Sequence, residues 1–137
     1  MRFLVSIPVL LAVLAANPLS IAHAEDCSNA TTQTEMNACA NKAYEKSDAE
    51  LNALYKQILT RLKNDTDATQ RLVSAQRAWI AFRDAECTFV ASPSTGGSVY
   101  SMALSYCRER LTRARVNDLK SYLRCEEGDA MCPLPPQ

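Results

Sequence analysis

Six cysteines in a chain of 137 residues constrain its fold more than any other feature. Cys27, Cys39, Cys87, Cys107, Cys125 and Cys132 are even in number and all follow an apolar leader, so disulfides are their default state. A zinc site would want close Cys-x-x-Cys pairs, usually helped by histidine. The spacings here are 12, 48, 20, 18 and 7, and the only histidine, His23, lies in the leader. No metal or other cofactor is implied. Proximity along the chain favours Cys27–Cys39 and Cys125–Cys132, which leaves Cys87–Cys107; a link from Cys39 to Cys87 is the main rival.

The leader itself reads as a signal peptide. Arg2 precedes an uncharged run from Phe3 to Ala22, and Ala22-His23-Ala24 supplies the small-x-small pattern of a cleavage site. Asn17, Pro18 and Ser20 interrupt the run, whereas a spanning helix wants about 20 mostly apolar residues. Glu25 and Asp26 separate the site from Cys27, so lipid attachment is not expected. The chain divides into a signal peptide (1–24), a helical domain (25–124) and a Cys- and Pro-containing tail (125–137). The expectation is a periplasmic or secreted bacterial protein with no stable membrane insertion. Cleavage removes Arg2 from the 15 basic residues and none of the 15 acids, which leaves 113 residues near charge −1. That balance gives no electrostatic argument for a nucleic-acid partner.

Helical periodicity fills the domain. Thr32-Gln33-Thr34-Glu35 has the form of a capping box, and apolar residues then recur at Met36, Cys39, Ala40, Ala43, Tyr44, Leu51, Leu54, Tyr55, Ile58 and Leu62. Asn64 and the polar Asp65-Thr66-Asp67 close this first helix. Asp67 with Gln70 marks a second start, and Leu72, Ala75, Trp79, Phe82 and Phe89 continue at helical spacing, with Trp79 and Phe82 read as core anchors. The segment Ser92–Ser98 carries two of the three glycines and breaks the pattern. Ser98 is then the expected cap of a third helix bearing Met102, Leu104, Cys107, Leu111, Leu119 and Leu123. The short turn forces the first two helices antiparallel. A third helix returning over their seam completes an all-α, elongated, disulfide-stapled three-helix bundle. Cys39 and Cys87 lie ~38 and ~33 Å from the turn at ~1.5 Å per residue, hence at one end.

Little in this chain can do chemistry. With His23 gone no serine has a histidine base, and disulfide-bonded cysteines are not nucleophiles. Glu35, Asp84 and Glu86 raise the idea of a glycosidase pair, but a thin bundle offers no cleft between them. No catalytic residue is assigned and an enzyme is not expected. Arg83 is read as half of a structural ion pair, with Glu35 as its partner. Arg108, Arg110, Arg113, Arg115, Lys120 and Arg124 stand against Glu109 and Asp118 on the third helix, where Glu109 and Arg113 pair at i,i+4. They could form a patch for an anionic polymer or acidic partner. The loop Ala91–Tyr100 is uncharged and narrow, and its backbone and hydroxyl groups could meet carboxylates in a cleft.

The run Cys27…Thr32-Gln33-Thr34-Glu35-Met36-Asn37-Ala38-Cys39, then Asp48…Leu51…Tyr55, resembles the bacterial LprI-like lysozyme inhibitor family. The likeness continues through Gln76-Arg77-Ala78-Trp79…Phe82-Arg83-Asp84…Cys87, Gly96-Gly97-Ser98 and Cys107…Leu111-Thr112…Arg115…Leu119. It implies an exported all-helical domain in a family whose members are named for inhibiting lysozyme. The Cys125…Cys132 tail and the lack of a lipid-attachment cysteine depart from it. Gly96-Gly97-Ser98-Val99-Tyr100 also approaches the S-G-x-x-Y loop of an unrelated β-barrel inhibitor family, with glycine in place of its serine.

The expected function is binding: occlusion of the cleft of a lysozyme-like muramidase, a protein partner. Ser94, Thr95, Gly96, Gly97, Ser98 and Tyr100 would make the contact. The alternative is a non-enzymatic envelope adaptor that grips an anionic polymer or acidic partner through Arg108, Arg110 and Arg113. Glu35, Gln76, Trp79, Arg83, Asp84 and Arg115 are read as structural.

Overall fold

The computed structural model describes residues 27–126 and 128–135; the expected signal peptide, residues 1–24, lies outside them. Three helices run in order, α1 (Gln33–Arg61), α2 (Thr66–Ala91) and α3 (Tyr100–Leu123), with a single 3-10 turn at Ser92–Ser94. The architecture is an all-α bundle.

The start of α1 follows from its sequence. Thr32 accepts from the Glu35 amide at 3.2 Å, and Glu35 Oε2 accepts from the Thr32 and Thr31 amides at 2.9 and 2.8 Å. Both halves of the capping box are therefore made. These bonds, the Thr32 amide foremost and Thr31 next, hold the Glu35 pKa at about 2. The start of α2 differs from expectation. Asp65, not Asp67, is its cap and accepts from the Ala68 amide at 2.9 Å. The tight turn leaves Asp65 extended, at φ −120°, while Asp67 falls in the first turn, where its charge faces the helix dipole favourably. Nor does Ser98 cap α3: Val99 occupies that position without a side-chain bond.

The helices do not pair as equals. Asn37 and Gln33 near the start of α1 reach Ser98 and Met102 near the start of α3, and Arg61 at the other end reaches the Leu123 carbonyl. α1 and α3 are therefore parallel neighbours, packed along their length, and α3 packs less extensively on α2. The apolar core lies on that seam, in Leu51, Ile58 and Leu62 of α1 against Val116 and Leu119 of α3, closed below by Leu134 of the tail.

Toward the other end, apart from Arg83 and the cysteines, the buried residues become small: Ala40, Ser47, Ala91 and Ser105. Such residues bury little area, and burial stabilises in proportion to area. Covalent and polar links supply the remainder there. Cys27 is bonded to Cys39 and Cys87 to Cys107, the second joining α2 to α3 across 5.4 Å between Cα atoms; Cys125–Cys132 closes the tail.

Candidate functional site

Two features occupy the stapled end: a buried arginine hub between the helices and the loop beyond it. The hub is built from the segment Gln76–Cys87 of α2. A helix turns about 100° per residue, so Gln76, Trp79, Arg83 and Cys87 form the inward stripe, and Gln76, Arg83 and Cys87 are buried. Arg83 Nη1 donates to Asp48 of α1 at 3.1 Å and Nε donates to Asp84 at 3.0 Å. Its guanidinium lies 5.2 Å from the Trp79 ring and 5.4 Å from the Tyr44 ring. Burial alone would weaken this charge. The Asp84 hydrogen bond, with Tyr44 and both carboxylates, outweighs burial and raises the Arg83 pKa further.

Arg108 of α3 joins from the far side. Its Nε is 3.5 Å from Asp84, an ion-pair distance without hydrogen-bond geometry, and its guanidinium lies 5.9 Å from the Tyr44 ring. Two turns lower, Arg115 Nε donates to Gln76 at 3.2 Å. The hub thus ties α2 to both other helices through polar side chains.

Arg83 does not pair with Glu35, contrary to the sequence expectation. Glu35 is spent on the helix cap, whereas Asp48 lies 13 residues along α1, ~20 Å toward the centre. Phe82 also departs from the core role expected of it. It is 55% exposed and Phe89 73%, because the wheel is pinned by Cys87, which must face α3. Phe82 and Phe89 lie about 140° and 200° from that direction. A helical wheel referenced to Cys87 carries this signal in the sequence alone.

The loop rises from the ends of α2 and α3. Its backbone is self-bonded: the Thr95 amide donates to Ser92, Gly97 to Ser94 and Tyr100 to Gly97. Gly96 takes φ +80°, a conformation that favours glycine. Asn37 Nδ2 donates to the Ser98 carbonyl at 3.0 Å and fastens the loop to α1. Thr95, Gly96, Gly97 and Ser98 are exposed, Ser94 and Tyr100 half-buried, and exposed Phe89, Val90 and Val99 stand beside them. The result is a braced, uncharged projection with apolar shoulders.

The basic residues of α3 are divided. Arg108 and Arg115 are seven residues apart and turn toward α2. Arg110 lies about 200° from Arg108 on the wheel, and Arg113 pairs with Glu109 at 3.3 Å. Among the described residues no group of His, Cys, Asp and Glu side chains could hold a metal ion, and no helix is long and apolar enough to cross a membrane.

Residues 24–119 match the family profile described as lysozyme inhibitor LprI. The chain belongs to this family. An uncharacterised protein of Rhizobium meliloti (strain 1021) is 35% identical, with 75% of this chain and 82% of that one covered. The uncharacterised protein YecT of Escherichia coli (strain K12) is 31% identical over 56% of each chain. The crystal structure of a DUF1311 family protein from Pseudomonas putida KT2440 matches with a TM-score of 0.60 at 24% identity, covering 66% of this chain and 92% of that one. It shares the fold. The family match ends before Cys125, so the disulfide-closed tail lies outside it.

Proposed function

We propose that the protein is an exported, non-catalytic inhibitor of lysozyme-type muramidases that blocks the substrate cleft with its Ala91–Tyr100 loop. The observation that carries this reading is the braced loop: uncharged, exposed, internally bonded and fastened through Asn37 and Cys87–Cys107. A projection already ordered loses little entropy on insertion, which favours tight binding. Ser94, Thr95, Gly96, Gly97, Ser98 and Tyr100 offer hydroxyl and backbone groups to carboxylates in the cleft. Phe89 and Val99 supply apolar contact at its lip, and the acidic surface residues meet a basic enzyme. Family membership supports the target class. The leader's small-x-small site and three disulfides support export to the periplasm or beyond.

The adaptor reading draws less support, because Arg108 is engaged by Asp84 while Arg110 points elsewhere and Arg113 is paired with Glu109. The test is cell-wall lysis by several lysozyme types in the presence of purified, oxidised protein. Saturable inhibition is expected, weakened about tenfold or more by Phe89→Asp or Thr95→Arg, the loss typical of an interface hot spot. Undiminished lysis at micromolar excess of inhibitor would remove the reading.

A further inference from the structure

The end of the bundle opposite the loop holds a half-open cavity of about 520 Å³. That lies within the ~300–1,000 Å³ of small-molecule sites. Its walls are apolar: Ile58 and Leu62 from α1, Leu72 and Ala75 from α2, and Tyr122 from α3. The fourth side is the tail, where Met131, Pro133 and Leu134 line the space. The tail is held in place twice, by Cys125–Cys132 and by Arg61, whose Nη2 donates to the Pro135 carbonyl at 2.7 Å. This wall lies beyond the family match.

Two arginines, Arg71 and Arg115, are among the lining residues. Arg71 is exposed and makes no ion pair among the described residues. Arg115 is mostly buried; its Nε donates to Gln76 at 3.2 Å, and its one carboxylate contact is from Nη1 to Asp118 at 3.7 Å, a side chain more than half exposed. An incoming anion would replace that contact at little cost, since exposed pairs contribute little. A half-open apolar space with two arginines in its lining matches an acyl chain ending in a carboxylate, which guanidinium binds with two parallel bonds.

We propose that this cavity binds a free fatty acid, with the chain against Leu62, Leu72 and Leu134 and the carboxylate between Arg71 and Arg115. The site is independent of the lysozyme reading and stands whether or not that reading holds. Calorimetric titration of the full mature, oxidised protein with dodecanoate, below its micelle concentration, tests it. One-to-one saturable binding is expected, with affinity rising roughly fourfold for each methylene added between octanoate and dodecanoate. Dodecanol should bind at least tenfold more weakly. Arg71→Gln, a surface change, should cost about tenfold by removing a charge-assisted bond. Ala75→Trp should abolish binding by filling the space while leaving the helical circular dichroism unchanged. Absence of saturation by dodecanoate would overturn the proposal, as would equal binding of dodecanol or full affinity in Ala75→Trp.

Discussion

Arg83 of α2 and Asp48 of α1 meet at 3.1 Å, the guanidinium 8% exposed and the carboxylate 35%. This asymmetry determines what each deletion costs. Removing Arg83 leaves two carboxylates, on Asp48 and Asp84, that water can still reach, but empties a buried position flanked by two rings. Arg83→Ala should therefore destabilise by about 2–4 kcal/mol, chiefly through lost packing and hydrogen bonds. Asp48→Asn should cost about 1 kcal/mol, because Asp84 still pairs with the buried cation. Urea unfolding of both single variants and the double variant checks this. A coupling near zero between the two sites would mean the pair is incidental.

Glu35 carries a pH signature. Its folded pKa of about 2 lies below its ordinary 4.5, set first by the Thr32 amide and then by Thr31. Between those two values the unfolded chain takes up a proton that the folded chain refuses. The contribution is complete above pH 4.5 and disappears as pH falls toward 2. Carboxyl resonances should show this residue titrating near 2. Glu35→Gln should flatten the fall of stability across that window; a resonance titrating near 4.5 would contradict the capping account.

Thr112 is fully buried, and its hydroxyl has no hydrogen-bond partner among the described residues. An unpaired buried hydroxyl is costly, and valine has nearly the same shape. Thr112→Val should stabilise by about 1 kcal/mol, roughly 4 °C in a domain of this size. A lower melting temperature would show that the hydroxyl is satisfied in solution.

The two C-terminal disulfides should separate stability from inhibition. Opening Cys87–Cys107, which spans 20 residues, should cost about 3 kcal/mol through the freedom returned to the unfolded chain. It should also weaken lysozyme inhibition, since the loop loses its staple. Opening Cys125–Cys132, seven residues apart, should cost about 2 kcal/mol and leave inhibition intact. Serine pairs assayed by thermal melting and cell-wall lysis distinguish these outcomes; equal inhibition by both would detach the loop from the mechanism.

Local signals were legible and long-range choices were not. The Thr32–Glu35 box marked the start of α1 because its four residues satisfy one another. Asp65 and Asp67 both had the chemistry of a cap, and only the geometry of the turn decided between them. Trp79 and Arg83 could be placed at helical spacing. That Arg83 would seek Asp48 depended on the register between helices, which no single stretch encodes. Phe82 and Phe89 misled because large apolar residues usually mark the buried face; here the inward stripe sets Gln76, Arg83 and Cys87 beside Trp79. The loop at Gly96-Gly97 stood out by composition, whereas the cavity under the tail arises from four segments spread from Ile58 to Leu134.

The parallel seam between α1 and α3 bears on how the chain acquires its shape. α1 has its main partner in α3, so the core of Leu51, Ile58 and Leu62 gains only partial cover from Ala68, Leu72 and Trp79 of α2 until α3 has emerged. Closing the seam joins helices far apart along the chain, and contacts of that separation slow folding relative to locally wired helical proteins.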